Sequence, residues 1–131
     1  MNITTFRKSV RTSTENAYEW FNQRCTKKEK KDWIARDKLD DSGIGAIYAF
    51  FDSKGECLYV GQTTQGLKQR ANSQKSKHYD SGWWEKWETL KFINLANRSD
   101  QIFLETLLII NLQPQYNTKP GAREINKMFG A

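Results

Sequence analysis

Cysteine is scarce in this chain. Cys25 and Cys57 stand far apart and in no spacing that zinc sites use, so both read as free, reduced thiols. Long apolar runs are absent: none approaches the roughly 18–20 residues that cross a bilayer. The first twenty residues, MNITTFRKSVRTSTENAYEW, hold no apolar signal-peptide core, so the chain reads as cytosolic, with no membrane partner. Internal repeats and low-complexity tracts are missing as well. What is present excludes disorder. With 37% hydrophobic and 13% aromatic residues over 131 positions, the chain is expected to form a single domain, 1–131, with a core that needs no staples.

Charge is the next constraint. Twenty-one Lys and Arg against fifteen Asp and Glu leave a net charge of +6. Such an excess suits a polyanionic partner, most simply nucleic acid, and suits solubility equally well.

The first forty residues are polar and helical in pattern. Thr14 is placed to cap a helix in which Ala17, Trp20, Phe21 and Arg24 recur at helical spacing. The run TKKEKK follows. Its Lys27, Lys28, Lys30 and Lys31 either contact phosphates or form a solvated helix face. Trp33 and Ile34 are the apolar residues that would dock this part, so residues 1–40 read as a basic helical extension of a core at 45–120. The loop DDSGIG leads into AIYAFF, a strand by composition; DSKGE supplies a turn in which Gly55 takes positive φ, and CLYVG is the antiparallel partner. GLKQRANSQ starts a helix. ETLKFINLAN, with Leu90 and Phe92 alternating with Lys91 and Ile93, is a third strand. Ser99 is placed to cap a strong helix, SDQIFLETLLIINLQ, which ends before Pro114 because proline disfavours helix at the preceding residue. AREINKMFGA reads as one short C-terminal helix. The expected fold class is α+β: a small three-stranded antiparallel sheet flanked by helices, with an N-terminal helical extension. Trp83, Trp84 and Trp87 are expected in the packing between the first helix and the third strand, with base stacking as their other use.

One residue breaks the apolar run of the strong helix. Glu105 is flanked by Phe103, Leu104, Leu107 and Leu108. A buried carboxylate is costly unless it is paired or binds a metal. The residue is either a salt-bridged acid on an exposed stripe or an oxygen ligand for a hard cation such as Mg²⁺, whose sites often use one or two carboxylates and leave the rest to water and phosphate. Tyr48 and Tyr59 lie on the two strands of the hairpin, Arg70 on the helix that follows, and Asn117 just past the Glu105 helix. Phosphodiester hydrolysis needs such parts: a group handling the water, a cation for the phosphate, and a metal site.

These residues carry a resemblance. AIY (Ala46–Tyr48), YVG (Tyr59–Gly61), GLKQR ending in Arg70, Glu105 in its apolar helix and QPQYN ending in Asn117 together resemble the GIY-YIG nuclease superfamily over roughly Gly45 to Pro120. The resemblance implies an Mg²⁺- or Mn²⁺-dependent endonuclease acting on DNA, most simply duplex, in a bacterial or phage-infected cytoplasm. Restriction, phage or mobile-element conflict is the setting it implies, and a homodimer is the arrangement suited to double-strand cuts. Carried over residue by residue, Tyr48 is the general base or orders the water, and Tyr59 hydrogen-bonds the water or the scissile phosphate. Arg70 binds that phosphate, Glu105 is the metal ligand, and Asn117 holds the network together. Gly61 lets the backbone pass close to the substrate. Lys68 and His78 are further candidate phosphate contacts. Two departures stand out: Ala46 replaces the family's usual glycine, which is tolerable where φ is negative, and Gln74 occupies the place where some restriction-type members carry histidine. The competing class is a nucleic-acid-binding protein that keeps the fold without cutting.

Overall fold

The computed structural model describes residues 2–34, 45–63 and 82–117. The expected helix at GLKQRANSQ, the C-terminal helix, and Lys68, Arg70, Gln74 and His78 lie outside the described residues. In chain order the elements are α1 (Ile3–Ser13), α2 (Glu15–Arg24), β1 (Thr26–Glu29), α3 (Lys30–Ile34), β2 (Ala46–Phe51), β3 (Cys57–Thr63), β4 (Thr89–Asn94) and α4 (Arg98–Leu112). The expected α+β architecture is present: one antiparallel sheet flanked by helices. Among the described residues no helix is long and apolar enough to cross a membrane.

The sheet has four strands rather than three, in the order β1-β4-β2-β3. The added strand comes from the basic extension, where TKKE pairs antiparallel with β4 in the register Thr26↔Phe92, Lys27↔Lys91, Lys28↔Leu90 and Glu29↔Thr89. The helical reading of 1–40 therefore fails at these residues. Of TKKE only Thr26 favours a strand by composition; an open edge on β4 supplies the partner that makes it one.

β2 is central, and all six of its residues are buried. That is why AIYAFF is apolar throughout rather than alternating. Tyr48 and Phe50 face a cluster with Leu58, Trp83, Trp87, Leu90 and Phe92. Ile47, Ala49 and Phe51 face the helices, packing with Phe21 of α2 and Leu104, Leu108 and Ile109 of α4. Trp83 and Trp87 are buried as packing residues, but over β2: their rings lie 4.8 Å and 5.0 Å from that of Phe50. Lys30 braces their turn, its ammonium donating to Trp84 O and Glu85 O at 3.3 Å each and lying 5.4 Å from the Trp87 ring centre. Lys91 ties α2 to the sheet by donating to Tyr18 Oη at 2.9 Å and Asn22 Oδ1 at 2.7 Å.

Local signals account for the connections. In the β2–β3 turn, Asp52 Oδ1 accepts from Lys54 N and Glu56 N, and Gly55 takes φ +82° as expected. A register shift between Phe50 and Phe51 adjoins that turn, opposing Phe50 to Tyr59 and Phe51 to Cys57. Thr14 does precede α2, but its hydroxyl donates back to Arg11 O in the last turn of α1 at 2.6 Å and makes no side-chain cap to α2. Asn97, not Ser99, caps α4, accepting from Asp100 N at 3.0 Å. The helix stops at Gln113, which is left-handed at φ 49° immediately before Pro114.

Candidate active site

The site is best built from four consecutive residues of β3, because each is tied to one of the residues singled out in the sequence. Tyr59 is one of them. Its half-buried ring stacks on Trp83 (5.2 Å between centres, 14° between planes) and on Tyr48 (6.2 Å, 29°). The backbone of Val60 is held by Asn117: Oδ1 accepts from Val60 N at 2.9 Å and Nδ2 donates to Val60 O at 2.7 Å. Gly61 lies directly across the ladder from Tyr48. Gln62 donates through Nε2 to Glu105 Oε1 at 3.3 Å.

These ties explain the residue types. Tyr48 is 1% exposed, and a Cβ on Gly61 would stand 2.5 Å from its Cζ and from its Oη. Glycine is required because the tyrosine ring lies across the neighbouring strand. Within the structure, the close approach at Gly61 is to Tyr48. Ala46, in the family's glycine position, is fully buried and is not a positive-φ residue, so alanine is unstrained there. The preceding Gly45 is the intolerant one: a Cβ would run into Gln101 Nε2 and come within 2.7 Å of Thr63 O and 2.9 Å of Leu95 O.

Asn117 completes an edge. β3 ends the sheet, and the segment after α4 runs along its open side, with Gln115 N bonded to Cys57 O at 3.2 Å and Tyr116 N to Leu58 O at 2.9 Å. Asn117 is 7% exposed and mimics a strand's paired N–H and C=O. Replacing it with alanine leaves a buried backbone donor and acceptor at Val60. About 2–4 kcal/mol of stability should be lost, read as a fall in the urea midpoint at constant slope. An unchanged midpoint would show the clamp to be idle.

Glu105 sits half-buried on α4, on the helix-covered side of the sheet, and Gln62 reaches it from β3. Motif and composition single out neither Gln62 nor Arg98. Arg98 Nη1 donates to Gln62 Oε1 at 2.7 Å and to Gln101 Oε1 at 3.4 Å. Gln101, 1% exposed, donates through Nε2 to the carbonyls of Leu95 and Thr63. The one signal the chain offers is a polar residue directly after YVG, on a face where the strand's alternation calls for an apolar one.

Among the described residues no group of three or more His, Cys, Asp or Glu could hold a metal ion together. A single half-buried carboxylate suits a hard cation that keeps most of its water and takes phosphate oxygens as further ligands. Thiol chemistry does not enter: burial pushes Cys57 up to about 12, and burial also raises Cys25 against the opposing pull of Lys91, so both stay protonated near neutral pH. Of the candidate phosphate contacts, Lys30 is engaged by the tryptophan turn. Lys27 lies 3.8 Å from Glu29, and Lys31 is exposed. Lys27 and Lys28 stand on β1, the edge opposite β3, three strand spacings or roughly 14 Å away.

The sequence model for the UvrC-like GIY-YIG domain matches residues 44–118, more than half of the chain. The UvrABC system protein C of Flavobacterium johnsoniae is 36% identical over 75 residues, as is that of Flavobacterium psychrophilum. The same protein of Christiangramia forsetii gives the same identity over the same length. Each match covers 54% of this chain and 12% of the relative. No solved structure matches significantly. A domain match over 44–118, which spans β2, β3, β4 and α4 and includes Tyr48, Tyr59, Glu105 and Asn117, shows that the chain belongs to the UvrC-like GIY-YIG domain family.

Proposed function

We propose that this protein is a DNA endonuclease that hydrolyses a phosphodiester bond with the help of Mg²⁺ or Mn²⁺. The observation that supports the reading is the family domain match together with the ties of its motif residues to β3: Tyr48 and Tyr59 on the Trp83 face, Glu105 through Gln62 on the helix-covered face, and Asn117 along the edge. A cation bound at Glu105 would supply charge stabilisation for the phosphate and the departing oxygen. The protein's own residues do the rest. Asn117 fixes the strand, Tyr59 hydrogen-bonds the water or the phosphate, and Arg70 offsets the charge that builds on the phosphate. Tyr48 orders the attacking water. A tyrosine's ordinary pKa is about 10, so Tyr48 acts as a base only where Arg70 or the metal favours its phenolate. The basic residues of the extension, Lys27, Lys28 and Lys31, together with Lys68 and His78, bind the DNA backbone away from the scissile bond.

Supercoiled plasmid incubated with the protein and Mg²⁺ tests this. Open-circular product indicates single-strand cutting, and linear product indicates paired cuts by a dimer. Binding without any metal-dependent cutting on duplex, single-stranded DNA or RNA would favour a protein that keeps the fold for binding alone. Tyr48→Phe removes only a hydroxyl, so the melting temperature should stay near wild type while the nicking rate falls about 10²-fold or more. A normal rate would remove Tyr48 from the chemistry.

A further inference from the structure

The polar residues around Glu105 form one ordered chain of donors and acceptors. Arg98 Nη1 donates to Gln62 Oε1 at 2.7 Å, and Gln62 Nε2 donates to Glu105 Oε1 at 3.3 Å. An arginine can only donate and an ionised carboxylate can only accept, so the two flanking groups dictate which way the Gln62 amide points. Arg98 is anchored in turn by Gln101, whose buried amide sits against Gly45 and bonds two main-chain carbonyls. The chain therefore starts in the core and ends on one oxygen of the candidate metal ligand.

We infer that Gln62 is a positioning residue for the metal-binding carboxylate of Glu105, and that Arg98 acts through it by fixing its amide. The inference rests on the proposed metal role of Glu105. The chemistry favours an amide at this point. A cationic partner directly on Glu105 would fix the carboxylate but cancel the charge that attracts a cation. An amide holds one oxygen without adding a charge of its own. Partners of this kind around metal ligands typically change metal affinity by 10–100-fold when removed.

The test is Mn²⁺ binding to the full chain without DNA, followed by electron paramagnetic resonance of the free ion. Gln62→Met keeps the length and removes both hydrogen bonds. The apparent Kd should rise about tenfold, with unchanged circular dichroism. Arg98→Met should raise it by less. The double variant should match Gln62→Met alone, because Arg98 acts on the carboxylate through the Gln62 amide. Half-saturating Mg²⁺ for nicking should shift in step, while the rate at saturating Mg²⁺ changes little. A Kd unchanged in Gln62→Met, or two effects that simply add, would overturn the inference. Glu105→Gln separates it from the reading beneath it. Lost Mn²⁺ binding in Glu105→Gln with normal binding in Gln62→Met defeats the positioning role alone. Normal binding in both defeats the metal role of Glu105 as well.

Discussion

Glu105→Gln should stop metal-dependent cleavage while leaving the fold intact. The substitution removes the charge that would hold a divalent cation in the proposed reaction, and keeps a side-chain oxygen to accept from Gln62 Nε2. The expected loss of rate is roughly 10²–10³-fold, the range for deleting one electrostatic stabiliser of a transition state. Glu105→Ala should lose activity equally. It should also cost about 1–2 kcal/mol of stability, because the Gln62 amide then has a half-buried donor without its acceptor. DNA binding in the absence of metal should persist in both variants, since deleting an anion beside a polyanion lessens repulsion. Plasmid nicking across an Mg²⁺ titration, with filter binding and thermal melts alongside, separates the three effects. Wild-type cleavage by Glu105→Gln at ordinary Mg²⁺ would end the metal assignment.

Gly61→Ala should damage stability and activity together, and for one steric reason. The added methyl would stand 2.5 Å from Tyr48 Cζ and Oη, closer than real Cβ atoms come to other heavy atoms. The tyrosine has nowhere to withdraw: it is 1% exposed, with the rings of Tyr59 and Phe50 at 6.2 Å and 5.8 Å. Overpacking of this kind costs about 1–3 kcal/mol, which lowers the melting temperature of a chain of this size by several degrees or more. Whatever relaxes the clash moves the Tyr48 hydroxyl, so cutting should fall well below the level that folded protein alone would give. Backbone strain plays no part, because Gly61 is not one of the positive-φ glycines. The cause can be isolated by repeating the change in Tyr48→Leu, which lacks the atoms the methyl would meet. Alanine at 61 should cost much less stability there, a non-additivity expected only of residues in contact. Equal costs in the two backgrounds would place the fault elsewhere.

Elements with local causes are legible in the amino-acid sequence. The AIYAFF and CLYVG strands and the Gly55 turn follow from β-rich composition and turn chemistry. The end of the last helix at Gln113 follows from Pro114. The misplaced acid in α4 is visible for the same kind of reason, as a charged residue in an apolar run. Local reading fails where neighbours outside the segment decide. TKKE is a strand because β4 has an edge to fill, against its own composition. Ser99 loses the cap to Asn97, two residues earlier, because several residues near a helix start can serve and the chain's entry selects one.

The sequence by itself determined the hairpin, the acid-bearing helix and the family, since periodicity, turn residues and spaced motifs are properties of the chain as written. Only the tertiary structure decided what each site residue touches. Gln62 meets Glu105 across 43 positions and Asn117 meets Val60 across 57. Gly61 is glycine because of a ring on the adjacent strand. Hydrogen bonds and clashes act over a few ångströms, and between residues so far apart in the chain only folding sets those distances.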